Sequence, residues 1–360
     1  MELRYANTRR EQGDYLRFLE SVYRGDPCFR SANSYLLRRL FRGASPFCED
    51  REILPAMVYD GGRPAAQAVF IAAGTEYPAL QLAFFEALPG QEAAVDLLLA
   101  EGRALCRARG LHRITVGLNG HVNYGLGLLL DAPDAPPVFG CGYNPGYYAD
   151  YFARPGLREV PMTSYRWSMP AAALARYGPY CRRLEGRYTL RTVSARTLRR
   201  DAALYADLCN RCFEGHPFYY PRRAEEDYEM LRELLLLAGP EFLILAFQGD
   251  ALCGLALWYP DFNELISPGG GIGPAALLRI KLLPRRIRRM KLAQLAVLPE
   301  HSRRGLPLLL LREVSRRCAG RFTGGESSWI LDGNSLSADL TTALGGAPYR
   351  RYAAWEMDVD

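Results

Sequence analysis

Apolar positions recur along this chain in one order of patterns, and the order is used twice. In the first half, ILPAMVYDGGRPAAQAVFIAA (53–73) reads as two apolar strands around Asp60-Gly61-Gly62, where Asp-Gly accepts the positive φ angles of a tight hairpin. LQLAFFEAL (80–88) continues as a third strand. Over 91–109, Val95, Leu98, Leu99 and Leu105 fall on one helical face, and Gly110 supplies the stop. LHRITVGL (111–118) is the strand after it. Roughly 180 residues later the series returns without visible sequence identity, as a duplicated domain would. EFLILAFQGDALCGLALWYP (241–260) gives two runs around a Gly-Asp turn, KLAQLAVL (291–298) a third strand, LPLLLLREVSRRC (306–318) a helix and SSWILD (327–332) a closing strand.

Length supports that division, since 360 residues exceed what one core commonly organises. The pattern predicts an N-terminal domain over 1–168, a linker over 169–185 holding Pro170 and Pro179 and followed by Gly186, and a C-terminal domain over 186–360. Hydrophobic residues at 49% and charged residues at 23% provide for two globular cores and argue against a disordered chain. The charged N-terminus lacks an apolar core region, and no run of about 18 apolar residues occurs, so no membrane span is expected. Nine cysteines without repeated spacing do not form a disulfide framework, and a reducing cytoplasmic location fits them. The net charge of +6 does not imply a nucleic-acid partner, because only Lys281 and Lys291 are lysines among 45 basic residues, a bias of composition rather than a binding pattern.

The segment with chemistry in it is LAVLPEHSRRGLPLLLLREV (295–314). A strand ends at Pro299, a basic loop follows, and an apolar helix begins at Leu306. Backbone N–H groups at a helix start, with the positive end of the macrodipole, suit a diphosphate. Arg303 and Arg304 add charge, Gly305 permits close approach, and Pro307 is tolerated in the first turn.

This segment resembles the acetyl-CoA motif of the GNAT N-acetyltransferase superfamily, a strand ending V-x-P followed by R/Q-x-x-G-x-G/A. Val297, Pro299 and Gly305 match. Ser302 stands at the Arg/Gln position, and Pro307 replaces the last Gly/Ala, removing one amide donor. DPCF (26–29), ASPFCEDREI (44–53), LAFFEAL (82–88), YNPGYYADYF (143–152), YPDFNEL (259–265) and ESSWILDGN (326–334) resemble a bacterial double-GNAT family across nearly the whole chain. The resemblance implies an α/β fold of tandem GNAT-like domains, each a mixed, mostly antiparallel sheet flanked by helices. The first domain, lacking a phosphate loop, is expected to be a degenerate copy.

The implied activity is acyl transfer from acetyl-CoA or another acyl-CoA to a small-molecule amine, with no metal. Leu295, Ala296 and Val297 would offer the strand amide that polarises the thioester, and Ser302, Arg303, Arg304, Gly305, Leu306 and Asn334 would complete the CoA site. Glu326 is the candidate base, ahead of Asp261 and Glu264. The family's acidic tyrosine is replaced by Thr341 and Thr342, leaving water, Tyr349 or Tyr352 for the thiolate. Two alternatives stand beside this: a binding or scaffolding module with a decayed CoA site, and an aminoacyl-tRNA-dependent transferase using the basic stretch 281–291. The oligomeric state is left open.

Cys209-x-x-Cys212 with His216 lacks the second pair of a tetrahedral metal site and falls in an amphipathic helical pattern, so buried thiols are expected. His112, His121 and His301 show no ligand spacing. LLRIKLLPRRIRRMK (277–291) reads as a cationic surface hairpin, with anionic lipid or phosphate as the alternative partner, and SPGGGIGP (267–274) as a flexible connection.

Overall fold

A computed structural model describes every residue except 32, 132, 133, 170 and 171. The chain forms two compact units, neither of them continuous in sequence. One comprises Met1–Met162, Ile266–Ile272 and Arg350–Asp360, and the other Thr163–Leu265 and Gly273–Tyr349. Pro170 of the expected linker lies outside the described residues; Gly178–Glu185 is a helix with Cys181 and Leu184 buried.

The strands in chain order are β1 (Glu2–Tyr5), β2 (Glu52–Asp60), β3 (Arg63–Ala72), β4 (Leu80–Ala87), β5 (Arg113–Val116), β6 (Leu128–Leu129), β7 (Arg158–Ser168), β8 (Thr189–Thr192), β9 (Leu243–Gln248), β10 (Ala251–Pro260), β11 (Arg289–Val297), β12 (Gly324–Ser327), β13 (Ile330–Leu331) and β14 (Ala347–Asp358). In the first unit they run β1-β2-β3-β4-β5-β14, with only β4 and β5 parallel. In the second they run β7-β12-β11-β10-β9-β8, with only β11 and β12 parallel. A parallel neighbour needs a crossover, and each unit uses one long helix for it: Glu92–Arg109 between β4 and β5, Leu306–Cys318 between β11 and β12. This is the mixed, mostly antiparallel α/β architecture that the sequence predicts.

The expected helix over 91–109 forms over 92–109 and stops where Gly110 takes φ 64°, a left-handed cap that side-chain-bearing residues resist. Its buried face, Ala94, Val95, Leu98, Leu99, Leu105 and Cys106, packs on Ala68, Phe70, Leu82 and Ile114 of the sheet. The Gly-rich stretch after Ser267 is no free connection. Gly269 N–H donates to Phe29 O at 2.9 Å, and Gly270 O accepts from Ser31 N–H at 2.8 Å. A Cβ on Gly271 would fall 2.6 Å from Ser31 O, so glycine is what lets these backbones touch.

Candidate active site

In the second unit, β11 pairs with β10 throughout but with β12 only from Arg289 to Leu292, opposite Gly324 to Ser327. After Ser328, whose N–H donates to Leu292 O at 3.0 Å, the chain joins β7 through β13 instead. The β12-facing edge of β11 from Ala293 to Val297 is therefore left without a strand among the described residues. On the other edge the register slips: Leu292 faces Trp258 and Gln294 faces Leu257, so Ala293 has no partner and forms a β-bulge. A bulge turns a peptide group out of the ladder and is a common way to aim it at a ligand. Leu292–Leu295 are only half-buried, unusual for a strand with neighbours on both sides. Leu295, Ala296 and Val297 thus lie along the open edge, and the bulge itself falls at Ala293, a position that an apolar run does not reveal.

Two residues before the bulge, a polar row crosses four strands. Arg166 of β7, Glu326 of β12, Lys291 of β11 and Tyr259 of β10 are successive register partners, which puts their side chains on one face. Glu326 is 2% exposed, so it is not a solvated strand-end carboxylate. Ser164 Oγ donates to its Oε1 at 3.3 Å, and Arg166 Nη2 stands 3.8 Å from Oε2. The Arg166 guanidinium also stacks 3.6 Å over the Tyr349 ring, which brings that tyrosine to the row; Tyr352 is buried in the first unit. Asp261 and Glu264 both receive hydrogen bonds from Arg289, at 2.9 and 3.0 Å, and Glu264 also accepts the Arg288 amide at 2.8 Å. They clamp the start of β11.

The loop after β11 is more closed than the motif predicts. The amides of His301, Ser302, Arg304 and Gly305 donate to carbonyls within the loop, at 2.9 to 3.4 Å. Gly305 takes φ 83°, and a Cβ there would sit 2.4 Å from Tyr180 Cε1. The group that approaches this glycine is thus Tyr180, whose hydroxyl donates to Arg304 O at 3.1 Å. His301 is buried, its Nδ1 2.9 Å from the Tyr188 hydroxyl. Ser302, Arg303 and Arg304 remain exposed, and Leu306 is buried as the first residue of the crossover helix. Asn334 is exposed and caps the helix Ser335–Ala343 by accepting the Ser337 amide at 3.2 Å.

Helix Leu198–Cys212 packs against β11 and holds Gln294: Tyr205 donates to Gln294 Oε1, and Gln294 Nε2 donates to Cys209 Sγ at 3.4 Å. Burial pushes the Cys209 and Cys212 thiols up to about 12 and about 11, leaving them unreactive. His216 separates from them and lies by Trp329, ring centroids 6.1 Å apart, where the chain leaves β12. Its Nδ1 accepts the Phe218 amide at 3.2 Å, and burial lowers its pKa to about 4. The ring is therefore neutral near pH 7 with its proton on Nε2, a hydrogen-bond donor at the cleft rather than a base. No group of His, Cys, Asp and Glu among the described residues is placed to hold a metal.

The first unit repeats this geometry and fills it. β4 pairs with β5 only from Leu80 to Leu82 and carries a bulge at Phe84 and Phe85. Phe84 has φ 48°, the one positive value at a non-glycine among the described residues. Its amide donates to Asn119 Oδ1 at 2.7 Å, and its carbonyl accepts from Tyr15 at 3.2 Å. Gln81 fastens the same loop by two bonds to Gly120, at 3.0 and 2.8 Å. Where β4 turns into its helix, Tyr148 and Tyr151 of YNPGYYADYF take the Ala87 and Gln91 amides at 2.8 and 3.1 Å. These tyrosines belong to the first unit's core.

No protein-family model matches the chain. Protein YghO of Escherichia coli (strain K12) is 23% identical over 274 residues, 73% of this chain and 70% of that protein. Bacterial ceramide synthase of Caulobacter vibrioides (strain NA1000 / CB15N) is 22% identical over 278 residues, 73% of this chain and 71% of that one. Among solved structures, a tandem GNAT protein from the clavulanic acid biosynthesis pathway superposes with a TM-score of 0.57 at 17% identity, covering 99% of this chain and 98% of its own.

Proposed function

Taking this tandem GNAT fold as the premise, we propose that the chain is an acyl-CoA-dependent N-acyltransferase that works by direct transfer in its second unit. The observation that supports it most is the bulge at Ala293, on a central strand left half-exposed where its parallel neighbour stops pairing. An extended amide-bearing arm suits the unpaired edge of Leu295, Ala296 and Val297, and the exposed Arg303 and Arg304 suit a diphosphate. Ser302, Gly305 and Leu306 border that end, with the loop amides already spent and Tyr180 over the glycine. In this reading charge recognition falls to the arginine side chains, and Asn334 acts by capping its helix.

Transfer requires the amine nitrogen to attack the thioester carbonyl, forming C–N and breaking C–S. The bulged peptide at Ala293 offers an N–H to the carbonyl oxygen as negative charge grows there. Glu326 takes the proton that the attacking amine sheds, directly or through water, with Arg166 at its carboxylate and Lys291 its neighbour in the row. The thiolate is protonated by water or by Tyr349.

The acceptor is an amine. The name of the Caulobacter relative favours a long-chain amino alcohol, since a ceramide is the N-acyl amide of one, over the small polar amine that the superfamily resemblance suggests. Calorimetric titration with CoA, acetyl-CoA and palmitoyl-CoA tests the donor, and thioester assays with sphinganine or a small diamine test the acceptor. One acyl-CoA per chain, weakened about tenfold or more by Arg303→Ala with Arg304→Ala, is expected. Absence of binding by any thioester would leave a non-catalytic module; transfer only from aminoacyl-tRNA would favour the third alternative.

A further inference from the structure

Of the basic segment 277–291, Lys291 stands in the polar row and Arg289 is held by Asp261 and Glu264; the stretch before them is outside that row, and its structure differs from the expected hairpin. Pro274–Leu282 is a surface helix, Pro284–Arg286 a single tight turn, and β11 follows. The helix is anchored by buried Ala276 and Ile280, and the turn by buried Ile287, while Leu278 and Leu282 point away, 59% and 68% exposed. Lys281 Nζ donates to Leu236 O of helix Ala224–Ala238, which puts a third leucine, 61% exposed, on the same surface. Half of the six large hydrophobic side chains exposed among the described residues are these three, so they form a patch rather than a scatter.

The charge on the helix and turn that carry Leu278 and Leu282 has one sign, while Glu233 is exposed one turn before Leu236. Lys281, Arg285, Arg286 and Arg288 are exposed beside the patch, and the sequence carries no acidic residue between Glu264 and Glu300. We propose that this surface docks the protein on an anionic lipid bilayer, Leu236, Leu278 and Leu282 entering the interface and the four cations meeting headgroup phosphates. Bare leucines amid cations suit a surface whose charged layer overlies hydrocarbon. Single-stranded RNA, which offers phosphate without an apolar layer, is bound through aromatic stacking, and no Phe, Tyr or Trp occurs between Phe262 and Phe322. Among the described residues no helix is long and apolar enough to cross a membrane, so the contact is peripheral. It goes beyond the acyl-transfer reading and needs no substrate to be tested.

Co-sedimentation of the purified full chain with phosphatidylcholine vesicles, with and without about one third phosphatidylglycerol, is the experiment. Expected is retention on the anionic vesicles alone, falling as salt rises. Arg285→Ala, Arg286→Ala and Arg288→Ala together should weaken it roughly a hundredfold, about fivefold for each surface cation. Leu278→Ser with Leu282→Ser should weaken it about tenfold without changing the melting temperature, since both side chains are exposed. No retention of the unmodified chain on anionic vesicles would overturn the proposal. So would retention indifferent to the leucine variant and displaced by poly(U) RNA, which would mark a general polyanion surface.

Discussion

β4 of the first unit and β11 of the second are the same structural idea with opposite outcomes. Each is a bulged central strand whose parallel neighbour pairs over three or four residues before contact ends. In β4 the freed groups are taken by the protein itself: Asn119 holds the bulge amide, and two tyrosine hydroxyls hold the amides at the strand-to-helix turn. β4 is accordingly buried from Leu80 to Phe85, whereas Leu292–Leu295 of β11 are half-exposed and the Ala293 edge is open. The difference teaches that the same kind of bulge can be either filled by the protein's own groups or left open. Phe84 keeps a backbone conformation that costs on the order of 1–3 kcal/mol, and the loop carrying Asn119 is what holds it there.

The largest expected effect separates the two clefts by chemistry. Glu326→Gln should lower kcat for acyl transfer about a hundredfold or more, with acyl-CoA affinity nearly kept, while Asn119→Ala in the other cleft should leave kcat within about twofold. Equal losses from both variants, read by steady-state kinetics, would break the comparison.

The next effect concerns Glu86, which ends the filled strand. Burial raises its pKa to about 8, against the pull of hydrogen bonds from Tyr148 and Tyr23 at 2.7 and 2.8 Å. A carboxyl raised in the folded state stabilises fully below its ordinary value of 4.5, and that contribution is lost as pH climbs through about 8. Melting temperature should therefore fall between pH 5 and pH 9, by an amount worth up to about 1.4 kcal/mol per pH unit, and Glu86→Gln should flatten the curve. A variant with the same pH dependence as the parent would show that the carboxyl ionises freely.

Smaller still, Asn119→Ala should destabilise the chain by about 1–3 kcal/mol in chemical denaturation, since it leaves the Phe84 amide without its acceptor. No loss would mean that water reaches the bulge and that the first cleft is less filled than its contacts indicate. Gly305→Ala should cost a similar or slightly smaller amount, because both its φ of 83° and the Tyr180 ring oppose a Cβ. Adding Tyr180→Ala should recover only the steric part, leaving the backbone part, and full recovery would put the whole cost on the ring.

Much of the fold was legible because it rests on local periodicity. The paired apolar runs at 53–73 and 241–260, the 91–109 helix with its Gly110 stop, and the strand, loop and helix at 295–314 all appear where the pattern puts them. Glu326 was legible only as a carboxylate near a strand end. Its burial in a row with Arg166 and Lys291 depends on residues from three strands far apart in sequence, which no spacing encodes. His216 was read with Cys209 and Cys212 because they are close in sequence, and the fold sends it to Trp329 instead.

By itself, then, the sequence determined the elements and the repeat of their order, because apolar periodicity and glycine or proline stops act within a few residues. Tertiary structure decided which repeat keeps an open cleft. That outcome turns on whether a loop remote in sequence brings an acceptor such as Asn119 to a bulged amide, and on which strand the chain pairs with after β12. Both are non-local hydrogen-bond choices, made only when the sheet assembles.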